Sequence, residues 1–309
     1  SKNNIPVINQ TTDLTTGTYL QGWIQQFEIL LAGAHLQREA YDQLLKMVED
    51  RAMLSYWAKE PSQDFERIIH PWANKVKDLD SNPRMEDLLN TATSAIENID
   101  ELFERAYMGV KKLNYSVLSQ RQRIRYVLAR VNKAFQAKMQ VSQYTMNELM
   151  RTQNQENELG YDIDHVFPQS IEKRSNWKVS NLRNSELGTS DRSEQIINSI
   201  GNLVLLHPSD NRSQSDALPW DPQKLTNLNQ SELYVNRLLV SPENWISMQS
   251  RAANLMTETL NSVPKAVASF EDSSKKYLPD WSEETVEIRA ELYWKILSED
   301  IKSNLGLSN

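Results

Sequence analysis

Two stretches decide how the chain is read. The first is Tyr161-Asp162-Ile163-Asp164-His165-Val166-Phe167-Pro168-Gln169-Ser170. Its sequel is Ile200-Gly201-Asn202-Leu203-Val204-Leu205-Leu206-His207-Pro208-Ser209-Asp210-Asn211-Arg212-Ser213. Each holds a short apolar run, at residues 163–167 and 200–206, too short for a helix and suited to a buried strand. Alternation along the first run sets Asp162 and Asp164 on one face and Ile163 and His165 on the other, unless the strand ends or bulges at the histidine. The second run reads as a strand, a turn and the start of a helix, with Asn202 in a turn context and Asn211 near the helix start. The chain has four histidines, and His165 stands apart because one carboxylate adjoins it and another lies two residues earlier. His35 sits in a helical stripe, and His70 and His207 each precede a proline, contexts that point to packing, surface or capping roles.

Outward from this core the periodicity changes. Before residue 140 the apolar residues recur at helical spacing: Leu20, Trp23, Ile24, Phe27, Leu30 and Leu31, then Leu44, Leu45, Val48, Met53 and Leu54, with Pro61 and Pro71 as punctuation. A third segment follows Asn82-Pro83 and includes Leu88, Ile96 and Leu102. A fourth carries Ile124, Leu128, Val131 and Phe135 as one apolar stripe, with Arg123, Arg130 and Lys133 on its other face. Residues 151–220 are rich in Asn, Ser, Asp and Pro. Helices resume at residues 233–239, 245–260 and 281–297, the last with Ser282 as cap and Glu283-Glu284 in its first turn. The expectation is a mostly α protein with one small strand-containing insert, divided into a helical domain at 1–115 without a motif and a second domain at 116–309 around a core of 161–224.

Composition narrows the class. A length of 309 residues leaves ample material for a buried core, and 8 glycines argue against a Gly-rich sandwich or a dinucleotide-binding fold. The absence of cysteine excludes disulfides and thiolate-bound zinc and fits a reducing cytoplasm. No run approaches the length of a membrane span, and no basic and apolar leader opens the chain, so a membrane role is not expected. The net charge of −7 disfavours a nucleic-acid partner only mildly, since residues 111–140 carry eight basic residues and no acidic one. The first residue is Ser rather than Met, and the chain is read as the C-terminal part of something longer.

Taken together, Asp164-His165-x-x-Pro168, Gly201-Asn202-Leu203 and Asn211-Arg212 resemble the HNH (ββα-metal) nuclease motif. Tyr161-Asp162-x-Asp164-His165-x-x-Pro168-Gln169-Ser170 is similar to a string in the HNH domain of RNA-guided CRISPR nucleases. The wider resemblance is to the HNH half of GmrSD-type, modification-dependent restriction proteins. It takes in Gly201 to Leu206, Asn211, Trp220 and Lys224, a preceding helix at 118–137 and a closing helix with Trp281, Arg289 and Trp294. It covers roughly residues 116–300. The chain departs from compact HNH domains in the 36 residues between His165 and Asn202, which hold Arg174, Lys178, Arg183 and Arg192 and are read as an insertion at the hairpin.

The resemblance implies a mostly α fold with an embedded ββα-metal motif and a metal-dependent DNA endonuclease serving bacterial defence against phage or modified foreign DNA. It assigns His165 as general base, Asn202 as a catalytic-loop residue, Asp164 and Asn211 as ligands of Mg²⁺ or Mn²⁺, and Asp162 as a third ligand or its support. Hard oxygen donors suit such cations and not zinc. Arg212, Lys224, Arg123, Arg130 and Lys133 are the expected DNA contacts, with double-stranded DNA as partner. A ParB-like, nucleotide-using sensor domain or subunit is expected outside this chain, since residues 1–110 hold no phosphate-cradling Gly-rich loop. The rivals are a catalytically silent DNA-binding module, a helical interaction module derived from such a nuclease, and an RNA-cleaving enzyme.

Overall fold

The computed structural model describes residues 26–93, 98–139, 144–151, 160–170, 189–219, 221–233, 235–236 and 283–307. The expectations placed on Leu20, Trp23, Ile24, Ile96, Arg174, Trp177, Lys178, Arg183, Trp220, residues 245–260, Trp281 and Ser282 lie outside them. The chain divides into two compact units, one formed by Ser1–Val110 with Ser298–Asn309 and the other by Lys111–Leu297. Among the described residues the fold is mostly α, with a single sheet of two strands. No helix there is long and apolar enough to cross a membrane.

The first unit holds α1 (Gln26–Ala32), α2 (Arg38–Ala58), α3 (Ser62–Lys77), α4 (Met85–Thr93) and most of α5 (Ile99–Lys111). In α2 Tyr41, Leu44, Leu45, Val48 and Ala52 follow the helical repeat and are buried. The helix stops at Lys59, which adopts a left-handed conformation (φ 52°) and turns its N–H back to the carbonyls of Ser55 and Tyr56. Pro61 then precedes α3 as expected, but Pro71 does not interrupt it. Its ring is exposed, and Phe65, Ile69, Trp72, Ala73 and Val76 bury one stripe that continues past it. Packing along that stripe outweighs the roughly 3 kcal/mol that a mid-helix proline costs. Arg51, almost fully buried, makes a bidentate pair with Glu60 at 2.9 and 3.0 Å, and Ser55 bonds to both.

In the second unit the basic helix of the sequence reading is α6 (Arg121–Met139), and it is not a half-solvated helix. From Ile124 to Gln136 every residue is buried except Lys133, which is half-buried. The face expected to carry Arg123, Arg130 and Lys133 outward is covered, because α6 packs against both α7 (Met146–Met150) and the sheet. Its polar groups are therefore held internally. Arg125 donates to the carbonyl of Tyr161, Arg130 to Tyr126 Oη at 3.0 Å, and Asn132 to the carbonyl of Leu128 at 2.8 Å.

Strands β1 (Asp162–His165) and β2 (Leu203–Leu206) pair antiparallel, with Asp162 opposite Leu206 and His165 opposite Leu203. Around them lie α8 (Thr189–Ile197), α9 (Pro208–Gln214), α10 (Pro222–Gln230) and the long α11 (Glu283–Asn304). Two carbonyls of β2 are taken by side chains: Tyr293 Oη donates to Leu203 at 3.0 Å and Asn236 Nδ2 to Leu205 at 2.8 Å. Gly201, just before β2, lies directly under α11. A Cβ placed there would sit 1.9 Å from the carbonyl oxygen of Val286.

Candidate functional site

The pleat sets Asp162 and Asp164 on one face of β1, and α9 crosses that face. Asn211 Nδ2 donates to Asp162 Oδ2 at 3.3 Å, and Gln214 Nε2 donates to Asp164 Oδ2 at 2.8 Å. The residues three apart on α9 thus reach the residues two apart on the strand. His207 caps α9 and Pro208 opens it, so the helix starts immediately where β2 ends. Asn227 ties α10 to α9 through the Asp210 carbonyl and Ser213 Oγ, at 3.1 and 3.0 Å.

Lys224 departs from its expected place. It is fully buried, so a phosphate contact is closed to it. Its Nζ lies 3.2 Å from Asp164 Oδ2 and donates to the carbonyl of His165 at 2.5 Å. Burial pushes the Asp164 carboxyl up and the Lys224 amine down, and each group opposes the shift of the other. Asp164 thus has a cationic partner inside the protein. Arg212, in contrast, is exposed on α9 and free to meet solvent-borne anions. Arg123 and Lys133 are half-buried, and Arg130 is buried.

Strand β1 ends at His165, whose side chain is buried. Its Nε2 lies 3.2 Å from Asn198 Oδ1. The orientation of that amide is fixed by its neighbours: Asn198 Nδ2 donates to the Glu194 carbonyl at 2.9 Å, and Gln169 Nε2 donates to Asn198 Oδ1 at 2.5 Å. Oδ1 is the acceptor, so Nε2 carries the ring proton and Nδ1 keeps its lone pair. Nδ1 makes no hydrogen bond among the described residues. Tyr115 meets the imidazole edge-on with centroids 4.9 Å apart, held there by its backbone N–H on the Asn198 carbonyl at 2.8 Å. Burial first, then the Lys224 and Arg121 charges, lowers the imidazole pKa to about 4 against the pull of Asn198, so the ring is neutral at physiological pH.

Asn202 is an internal brace. Its Oδ1 accepts from the Phe167 N–H at 2.9 Å, and its Nδ2 donates to the carbonyls of Phe167 and Ile197 at 2.9 and 2.8 Å. Its own carbonyl accepts from Val166 at 2.8 Å. The acceptor on His165 is therefore the Asn198 side chain. Asn198, Gln214 and Tyr115 were not read from the sequence. Asn198 lies four residues before Asn202, but an isolated Asn or Gln carries no periodic signal, and Tyr115 lies in a segment read as helix.

The structure thus brings Asp162, Asp164 and Asn211 to one face of the hairpin and leaves the His165 ring at the end of the same strand. Among the described residues no group of three His, Cys, Asp or Glu side chains is placed to hold a metal. The oxygens of Asp162 and Asn211 nevertheless fit a hard cation. Asp162 Oδ1 and Asn211 Oδ1 carry no hydrogen bond among the described residues, and the donor set is oxygen alone. No curated protein and no solved structure matches this chain. The sequence family described as GmrSD restriction endonucleases, C-terminal domain, matches residues 99–295. That span takes in α6, both strands, Asp164, His165 and Asn211, and most of the helix that braces β2. By the agreement of this span with the strand–helix site, the chain belongs to the GmrSD restriction endonuclease family, through its C-terminal domain.

Proposed function

We propose that the chain is a metal-dependent DNA endonuclease of the HNH (ββα-metal) type, hydrolysing phosphodiester bonds in cytoplasmic defence against phage or modified foreign DNA. The observation that carries this reading is the hairpin with its crossing helix. One short strand bears Asp162, Asp164 and His165, and α9 lays Asn211 against the first of them. Asp164 and Asn211, with Asp162 beside them, would hold Mg²⁺ or Mn²⁺. When bound, such a cation supplies positive charge for the phosphate oxygens and the departing oxygen. His165 Nδ1 is the atom that takes the proton of the attacking water, while Nε2–H stays on Asn198 and keeps the ring from rotating. Asn202 keeps the chain after His165 in place, and exposed Arg212 meets a phosphate oxygen. Double-stranded DNA is the substrate, and a ParB-like, nucleotide-using sensor works with this chain.

The test places supercoiled plasmid with the protein in Mg²⁺, in Mn²⁺ and in EDTA, beside His165→Ala. Open circles or linear DNA formed only with metal and only with His165 intact are expected. Equal behaviour of the two proteins on the plasmid, with both still binding it, would replace this reading with the catalytically silent DNA-binding one. A single-stranded RNA substrate offered in parallel separates the RNA-cleaving rival.

A further inference from the structure

A cavity of about 220 Å³ opens beside the start of β1, and the chemistry proposed above makes no use of it. Its walls include Tyr161, which immediately precedes Asp162, and His207, which follows the strand partner of Asp162. Tyr144 and Tyr161 stand edge to face with centroids 6.0 Å apart. Tyr144 Oη donates to Glu232 Oε2 at 2.6 Å, which fixes the ring and the carboxylate together. Two carboxylates reach the cavity, each with one oxygen bonded, and the charge of Arg151 already bears on Glu148. Glu148 Oε2 is committed to the Thr145 N–H and hydroxyl at 2.6 and 2.7 Å, as the return half of a capping box. Glu232 Oε1 carries no hydrogen bond among the described residues, and neither does the guanidinium of Arg151.

Resting on the nuclease reading of the adjoining site, we propose that this cavity takes one unpaired nucleobase of the substrate strand, a cytosine or a guanine. The complement of the lining is a flat ring with an amino donor for Glu232 and a carbonyl acceptor for Arg151. Cytosine and guanine carry both groups. Adenine lacks the carbonyl and thymine lacks the amino group. The aromatic walls supply ring contacts that any base can use, so discrimination falls to the carboxylate and the guanidinium. Because Tyr161 and Asp162 are chain neighbours, a base held here belongs to a nucleotide close to the bond under attack. The pocket would then bias where the strand is cut, as pockets that receive an unstacked base do elsewhere.

The test uses the whole 309-residue chain carrying His165→Ala in EDTA, which removes cutting, titrated with fluorescein-labelled single-stranded oligo-dC, oligo-dT and oligo-dA and followed by anisotropy. Oligo-dC is expected to bind about tenfold more tightly than the other two, the worth of one hydrogen bond to a charged group. Glu232→Gln is expected to bring oligo-dC to the level of oligo-dT while oligo-dT binding stays unchanged, and Arg151→Ala, which takes the carbonyl partner from cytosine and thymine alike, to weaken oligo-dC and oligo-dT relative to oligo-dA. If Glu232→Gln lowers the melting temperature, the exposed Arg151 variant decides alone. Equal binding of the three oligomers, a preference that survives both substitutions, or no binding at all would overturn the proposal. Plasmid nicking by the unsubstituted chain, run in parallel, separates the two ideas. Nicking without base preference sinks the pocket alone, and preference without nicking sinks the nuclease reading alone.

Discussion

A single side-chain oxygen sets the imidazole that matters most here. Asn198 Oδ1, which also accepts from Gln169 while the amide Nδ2 donates to the Glu194 carbonyl, decides which ring nitrogen is the base. Asn198→Ala should leave His165 present but free to rotate or change tautomer. Plasmid nicking should fall about tenfold or more in kcat, part of the roughly 10²–10⁴-fold that general-base catalysis contributes, with the metal requirement and the plasmid KM unchanged. A time course at saturating plasmid measures this. Glu60 gives a prediction about stability at the same scale. Burial raises its pKa, but the hydrogen bond and charge of Arg51, with Ser55, outweigh that and hold it below its ordinary 4.5. Because the folded value lies below the unfolded one, the pair's contribution is complete above about pH 4.5 and is lost as pH falls through the folded value. Glu60→Gln, which leaves Arg51 buried without its charge partner, should cost about 3 kcal/mol at pH 7 and progressively less in acid. Urea unfolding at the two pH values would show it. At this scale the sequence was partly legible. Asp164, His165 and Asn211 were singled out by resemblance, and the fold brings their segments to one hairpin, whereas Asn202, expected as a catalytic-loop residue, is held internally. Lys224 was misplaced because a sequence does not tell a lysine that meets phosphate from one that neutralises a buried carboxylate.

Elements were easier to read than their coverings. The repeat of Ile124, Leu128, Val131 and Phe135 announces a helix and one apolar stripe, and α6 is there. That its opposite face is also buried depends on α7 and the sheet, which are distant in sequence and leave no mark in the spacing. The same limit applies to Gly201, which precedes the Asn202 read in a turn context. The structure gives it a reason: the backbone of α11 at Val286 comes so close that no side chain fits. Gly201→Ala must push α11 away from β2 or bend the chain before it, straining the Tyr293 bond to the Leu203 carbonyl. A loss of about 3 kcal/mol is expected, at the upper end of overpacking costs. Nicking at 25 °C should drop together with the thermal midpoint, and a normal midpoint for the variant would contradict this account.

For the molecule as a whole, the two-unit division does not follow the order of the chain. Residues 298–309 belong with Ser1–Val110, although the rest of α11 belongs to the other unit. Ile301 and Leu305 are fully buried, and Asn304 Nδ2 donates to Asp50 at 2.9 Å. Deleting residues 298–309 should therefore destabilise the unit built on α1 to α5, by at least about 3 kcal/mol from the two aliphatic side chains alone. Trp57 and Trp72, both buried in that unit, report it by fluorescence during denaturation. The sequence placed helices toward both ends of the chain, from Leu20 and up to residue 297, but the return of residues 298–309 to the first unit was beyond periodicity, which ranks residues by face and not by destination.

The burial of the middle of α6 on nearly every side has a consequence in time. Amide protons at residues 124–136, Lys133 apart, lie on buried residues, so they exchange mainly when the surrounding unit opens. Their exchange in heavy water is then a clock for rare, complete opening of residues 111–297. Amides near the exposed end of α9 keep a much faster, local rhythm. A divalent cation that settles on Asp162, Asp164 and Asn211 should slow both, because every opening that breaks the hairpin must first release it.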